Sequence, residues 1–340
     1  MKLIEAECVH VALPAACQLM SDQGEKRGSR NGSVLVLPEP LTTVYTCPED
    51  RVLLWEERNA NPFFHLMEAL WMLSGRKDVD FVAKYAKQMR EYSDDGITLN
   101  GAYGHRWRKH FNGRDQLSVI IEALARDPYD RRQVLSMWDG WGDPRAVEAG
   151  TKDVPCNLNA LFNAGGGELD MTVFCRSNDL IWGCYGANAV HFSVLQEYLA
   201  AGIGIPIGTY TQISNNAHVY ERHWNLMYAM ADLSSDGYDY PENPYNRKVN
   251  STPIVDLPLA EWDDELLIFM CGGVCQKSHF FKTIAEPMRE MWETREPKWH
   301  ADTDPKSDWK VACEGWLAQR ADTKAAKDAP NEFPKIELPK

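Results

Sequence analysis

Within one stretch, Asp153 to His223, lie a cysteine directly after a proline, Pro155-Cys156, a run Cys175-Arg176-Ser177-Asn178-Asp179, and His218-Val219-Tyr220 with His223 close behind. Proline locks its φ angle, so the thiol that follows is presented at a fixed backbone angle. A guanidinium nearby lowers a thiol's pKa and raises its thiolate fraction. The same guanidinium can grip a phosphate or carboxylate with two parallel N–H donors. These types in this order point to a cysteine nucleophile beside an anion-binding arginine. A lone Pro-Cys pair reads equally as an inert buried thiol, because free cysteine is among the most buried residue types. The density of chemistry-bearing neighbours favours the nucleophile.

The elements around these residues must bring them together. Leu158–Asn163 and Leu169–Cys175 alternate in the strand period and flank Ala164-Gly165-Gly166-Gly167-Glu168, which predicts a β-hairpin. Antiparallel pairing then sets Cys156 and Arg176 side by side at its open end. Asn188 to Ala201 has helical apolar spacing, preceded by the glycine-bearing turn Trp182-Gly183-Cys184-Tyr185-Gly186-Ala187. Asn61-Pro62 opens a helix, with the asparagine as cap and proline in the first turn. That helix is apolar nearly all round through Leu73, so it should be buried, and Glu68 is the exception. A carboxylate in such a place is rarely buried unless paired or functional.

Elsewhere, residues 1–24 read as a strand and a connecting segment, and Lys26 to Ser33, basic and glycine-rich, as a mobile loop. Val34–Leu37 is a short strand. Asp78 to Arg90 is an amphipathic helix and Gln116 to Ala125 another. Arg131-Arg132 runs into a strand, Gly142 to Lys152 is a loop, and Thr209–Ile213 is strand-like. Residues 1–320 are expected to form a single catalytic domain, with 321–340 a charged, proline-bearing tail.

The formal net charge is −13, which argues against a phosphate-tracking nucleic-acid surface. Any bound phosphate needs a local arginine cluster working against the global field. The nine scattered cysteines suggest no disulfide framework and a reducing, cytoplasmic compartment. The first residues carry no signal-peptide pattern, and no apolar run reaches membrane-spanning length. Cys271-Gly272-Gly273-Val274-Cys275 lacks a second ligand pair, so no metal is expected. Gly202 to Gly208 mimics a dinucleotide fingerprint but does not open a helix.

Across roughly residues 25 to 225 the motifs together resemble the thymidylate synthase family, which includes phage deoxynucleotide hydroxymethylases. The resemblance implies an α/β (α+β) fold with a large mixed sheet packed with helices, and one sheet face in a homodimer interface. It implies Cys156 as nucleophile. Glu68 would organise the proton at the pyrimidine O4 and contact the folate. Tyr103, in Asn100-Gly101-Ala102-Tyr103-Gly104, would help remove the C5 proton. Asp179 would contact the pterin. The 5′-phosphate would be held by Arg30 (or Arg27), Arg176 and Ser177, and by Arg131 and Arg132 of the partner. His218 and Tyr220 would meet the sugar 3′-hydroxyl. Asn188 would read the base, since a carboxamide can donate to uracil O4 and accept from N3–H.

The implied substrates are dUMP and 5,10-methylenetetrahydrofolate, without nucleic acid or membrane, in a cytoplasm that is the host's if the chain is phage-encoded. Cys156 would add to C6, C5 would take up the one-carbon unit, and an exocyclic methylene would remain. Three departures from the synthases favour its capture by water over reduction. The chain lacks their C-terminal Tyr-x-x-x-Pro segment and small apolar terminus, and it has no clear counterpart of their shielding tryptophan, Tyr92 being nearest. It also carries Asn157 where the family usually has histidine. The expected product is 5-hydroxymethyl-dUMP. Thymidylate synthesis and dCMP hydroxymethylation are the alternatives.

Overall fold

A computed structural model describes residues 1–235 and 242–321. The tail expected over 321–340 lies outside the described residues but for Ala321. The strands are β1 (Lys2–Ala6), β2 (Glu25–Ser29), β3 (Gly32–Val36), β4 (Leu41–Tyr45), β5 (Val134–Ser136), β6 (Asn157–Asn163), β7 (Leu169–Cys175), β8 (Asn178–Asp179), β9 (Ile207–Ser214) and β10 (Ala217–Tyr220). The α-helices are α1 (Val9–Gln23), α2 (Pro62–Leu73), α3 (Val79–Tyr85), α4 (Tyr103–His105), α5 (Gln116–Arg126) and α6 (Gly142–Glu148). They continue with α7 (Asn188–Ile203), α8 (Trp224–Ser235), α9 (Leu259–Met270), α10 (Glu286–Thr294) and α11 (Asp308–Ala321).

The strands form two sheets. One is six-stranded and mixed, in the order β1-β4-β9-β7-β6-β5; the other is four-stranded, β2-β3-β10-β8. The expected hairpin is β6–β7, antiparallel, with Asn157 opposite Cys175. On β9 and β7 alternate residues are buried: Tyr210, Gln212 and Ser214, and Leu169, Met171 and Val173. Helix α7 lies on this buried face with β9 and β7, and α2 and α5 pack against α7. The second sheet was not anticipated. It arises because the basic Lys26–Ser33 stretch is two paired strands, β2 and β3, with a turn at Arg30-Asn31, rather than a loop.

Helix α2 begins where its sequence signals placed it. Asn61 accepts a hydrogen bond from the Phe64 amide at 3.1 Å, and all twelve helical residues are buried. The C-terminal helices α9, α10 and α11 pack against it. There Phe63 meets Trp292 and Trp316 at centroid distances of 5.6 and 5.5 Å.

Three further segments differ from the sequence reading. Residues 9–23 form α1 despite Pro14 in its interior. Proline has no N–H to give the carbonyl four residues back, which is His10. That carbonyl instead accepts from Trp55 Nε1 at 2.8 Å, and the Trp55 and His10 rings stack 4.3 Å apart. The helix expected over Asp78–Arg90 stops as α-helix at Tyr85 and continues as a 3₁₀ turn, Lys87–Tyr92. The loop expected over Gly142–Lys152 contains α6. Its buried Asp143 accepts from Arg106 at 2.7 and 2.8 Å, and the tertiary pair overrides weak local propensity.

Candidate active site

Pro155-Cys156 leads into β6, and Arg176 follows β7 on the adjacent strand. The Arg176 amide donates to the Cys156 carbonyl at 2.8 Å. Its guanidinium turns back on the same loop, with Nε donating to Pro155 O at 2.9 Å and Nη2 to Val154 O at 3.0 Å. The backbone amides of Cys156 and Asn157 both donate to Tyr103 Oη, each at 3.2 Å. Cys156, Arg176 and Tyr103 are therefore contiguous. The thiol itself is a correction to the sequence reading. Burial pushes the Cys156 pKa up, the opposing fields of Arg176 and Arg30 do not outweigh it, and Asp153 adds to the rise.

Tyr103 reaches this point because its segment lies directly on α2. A Cβ on Gly104 would sit 1.9 Å from Met72 O and 2.3 Å from its Cα, so only glycine fits. Arg106 fixes the other side, donating to Asn100 O and Met137 O as well as to Asp143. Asp153 closes the loop, its carboxylate accepting from the Gly101 amide at 2.7 Å.

Glu68 is buried on α2. Burial raises its pKa to about 8, with the charge of Asp153 contributing second. His191 Nε2 lies 3.2 Å from its carboxylate but makes no hydrogen bond there. Burial lowers the His191 pKa to about 3, so the contact joins two neutral groups at pH 7 and is not an ion pair.

A second group of residues comes from the four-stranded sheet. β10 pairs with β3, Tyr220 opposite Val34 and His218 opposite Val36, and pairs parallel with β8, His218 beside Asp179. The turn at Arg30-Asn31 folds against Tyr220, with Asn31 Nδ2 donating to Tyr220 Oη at 3.4 Å. Of the two arginines considered for this loop, Arg27 is paired with Glu25 at 2.7 Å on exposed β2. Arg30 is the one whose field reaches Cys156. His218 Nδ1 lies 3.2 Å from Asn216 O. That contact requires Nδ1–H. The His218 and Tyr220 rings meet at right angles, 5.1 Å apart.

Beyond β8 the chain forms an irregular π-helical segment, Leu180–Ala187, before α7. Asp179 accepts from the Ile181 amide at 3.0 Å. Buried Arg58 donates twice to Ile181 O, at 3.0 and 2.7 Å. Asn188, half-buried at the start of α7, accepts from Asn157 Nδ2 at 3.3 Å and donates to Asn178 Oδ1 at 3.1 Å. Tyr92 is 44% exposed. Burial of its hydroxyl raises its pKa, Arg222 opposes this, and the charges of Tyr220 and Asp179 also reach it. Half-buried Trp182 packs on Phe64 at 5.6 Å. Ser177 follows Arg176 and is half-buried.

Arg131 and Arg132 are not brought to this site. They precede β5, which pairs with the middle of β6, Val134 opposite Leu161. Arg132 is 85% exposed at its side chain and pairs with Asp130 at 2.7 Å. Sequence reasoning gave no role to Asp153, Arg58 or Asn178, and read Asn157 only as a departure from a pattern. All four carry bonds that hold the site together. Among the described residues no group of His, Cys, Asp or Glu could hold a metal ion, and no helix is long and apolar enough to cross a membrane.

Comparison with known proteins agrees with this geometry. The thymidylate synthase family profile matches residues 14–263, wider than the motifs alone suggested. A deoxyuridylate hydroxymethyltransferase of Pseudomonas phage M6 is 47% identical over 337 residues, covering 94% of this chain and 95% of that protein. One from Bacillus phage SP01 is 39% identical over 190 residues, 53% of this chain and 49% of that protein. A putative thymidylate synthase of Methanosarcina barkeri is 32% identical over 144 residues, 42% of this chain and 63% of that protein.

Proposed function

The chain belongs to the thymidylate synthase family, and from that premise we propose that it is a one-carbon transferase converting dUMP to 5-hydroxymethyl-dUMP. The observation that carries the choice of product is the likeness to the phage M6 deoxyuridylate hydroxymethyltransferase along nearly the whole of both chains.

The nucleotide phosphate binds between Arg30, Arg176 and Ser177, and the sugar hydroxyl meets His218 Nε2 and Tyr220. Asn188 receives uracil with its open donor and acceptor. Cys156 Sγ adds to C6. Its proton is costly to remove from a buried thiol, and the fields of Arg176 and Arg30 offset part of that cost. Addition turns C5 into a nucleophile. 5,10-methylenetetrahydrofolate supplies the one-carbon unit. Asp179 uses Oδ1 for the Ile181 amide, and its other oxygen would accept ring N–H groups of the pterin. Glu68, held largely protonated at neutral pH by its burial, delivers a proton toward O4. Tyr103, already against the Cys156 loop, takes part in removing the C5 proton through water. The electron pair left at C5 forms the exocyclic double bond as the bond from the methylene carbon to the folate N5 breaks, and tetrahydrofolate leaves with that bond's electrons. Water then adds to the exocyclic methylene carbon, its oxygen becoming the hydroxyl, while the C6–S bond breaks and returns the electron pair to Cys156.

A homodimer belongs to the same reading. Arg132 is exposed and paired with Asp130, and the six-stranded sheet leaves its other face only half covered at Thr172, Phe174, Thr211 and Ile213. Set against a partner, that face would carry the arginine pair to the partner's phosphate site.

The test is one reaction of purified protein with dUMP and methylenetetrahydrofolate, identifying the nucleotide by mass and dihydrofolate by absorbance. A hydroxymethylated nucleotide without dihydrofolate is expected. A methylated nucleotide with one equivalent of dihydrofolate would make the enzyme a thymidylate synthase. Turnover of dCMP in place of dUMP would remove the base assignment.

A further inference from the structure

We propose that Asn157 and Asn178 are positioning residues that fix which way the Asn188 carboxamide faces, and thereby set the preference for a uracil over a cytosine nucleotide; this rests on Asn188 reading the base. The residues form one continuous chain. Asn157 Nδ2 donates to Asn188 Oδ1 at 3.3 Å, Asn188 Nδ2 to Asn178 Oδ1 at 3.1 Å, and Asn178 Nδ2 to Ser214 Oγ at 3.0 Å. Ser214 Oγ lies 3.7 Å from Cys184 Sγ, which reaches Gln212 Oε1 at 3.9 Å. One direction of hydrogens satisfies every link from Asn157 inward.

A carboxamide has two N–H donors and an oxygen with two lone pairs. At Asn188 the chain uses one of each and leaves one of each for a ligand. Uracil offers an acceptor at O4 and a donor at N3, and fits that remainder. Cytosine offers a donor at N4 and an acceptor at N3, and fits only if the carboxamide turns over. Turning Asn188 alone would set N–H against N–H at Asn157 and oxygen against oxygen at Asn178. Both neighbours are buried, at 0% and 2% exposure, so water cannot repair the mismatch. An unsupported asparagine can read either base by rotation, whereas one held in this chain cannot.

Two further facts separate this role from ordinary packing. Asn157 Oδ1 is buried without a hydrogen-bond partner, so the side chain is not kept for its own satisfaction, and its one bond runs to Asn188. A Cβ on Gly183 would come within 2.8 Å of Asn178 Oδ1 and 3.4 Å of Asn188 Nδ2, so the backbone itself closes over the junction.

The experiment compares kcat/KM for dUMP and for dCMP in the wild type, Asn157→Leu, Asn157→His and Asn178→Leu, with thermal melting to establish folding. Losing one link should cut the dUMP-to-dCMP ratio about tenfold, chiefly through KM for dUMP. Asn157→His, which restores an N–H donor, should recover most of it. If Asn157→Leu does not fold, Asn178→Leu carries the same expectation. A folded leucine variant with the wild-type ratio, or a histidine variant as impaired as the leucine one, would overturn the proposal. Asn188→Asp serves as the control on the premise. If Asn188→Asp leaves the preference unchanged, the base-reading role itself fails. If Asn188→Asp shifts the preference while the Asn157 and Asn178 variants do not, only the present inference fails.

Discussion

Glu68 and Cys156 have opposite charge requirements, and burial acts on both. On the proposed mechanism, catalysis needs a protonated Glu68 and an ionised Cys156. Burial holds the Glu68 pKa near 8 and pushes the Cys156 thiol up. The competent combination is then a minority state of the free enzyme, most populated above the pKa of Glu68. We expect kcat/KM to rise with pH to an optimum on the alkaline side of 8 and then fall. In Glu68→Gln the fall should vanish and kcat should drop by about a hundredfold or more. An optimum at or below pH 7 would refute this. Stability carries the same signature with its own sign. A folded-state carboxyl pKa raised from 4.5 to about 8 favours the folded form below pH 4.5, and that contribution is lost as pH rises through 8. Melting of Glu68→Gln should therefore gain on the wild type as pH rises across that window. At this scale the contacts that join Cys156 with Arg176 and Tyr103 followed from motifs with local spacing. The pKa direction of Cys156 was not legible, because it depends on how much protein covers the thiol. Nor was the partner of Asn157, 31 positions away in sequence.

At the scale of elements, α2 and the β6–β7 hairpin followed from periodicity and turn residues. Helix α1 did not, because Pro14 forbids an interior helical hydrogen bond and the replacement donor, Trp55, belongs to a different segment. Trp55→Phe keeps the ring that stacks on His10 but removes the donor, and should destabilise the protein by about 1–3 kcal/mol, the cost of a buried acceptor left bare. Pro14→Ala restores the helical N–H, so in that background the cost of Trp55→Phe should shrink toward zero. Denaturant melts of the four proteins in this cycle measure the coupling. Equal costs in both backgrounds would show that the His10 carbonyl is not what Trp55 serves. Helix α6 escaped notice for a related reason. Its anchor is the Arg106–Asp143 pair, whose members lie 37 positions apart.

At the scale of the molecule, the net charge of −13 makes local arginine clusters the means of holding a phosphate, and two of the expected arginines are not brought to their own cleft. If Arg131 and Arg132 serve a partner's site, a chain with both changed to alanine should be nearly inactive, as should Cys156→Ser. Mixing the two under conditions that exchange subunits should restore activity, because some mixed dimers then own one complete site. Failure to complement, with dimers verified by sedimentation, would place the arginines outside catalysis. The second sheet was the largest architectural feature hidden from sequence, since β2, β8 and β10 are too short or too polar to announce themselves. It has a mechanical consequence. Cys156 and Arg176 hang from the six-stranded sheet, whereas Arg30, His218 and Tyr220 hang from the four-stranded one. On the proposed reading, a nucleotide gripped at its phosphate, sugar and base would therefore act as a rivet across both sheets.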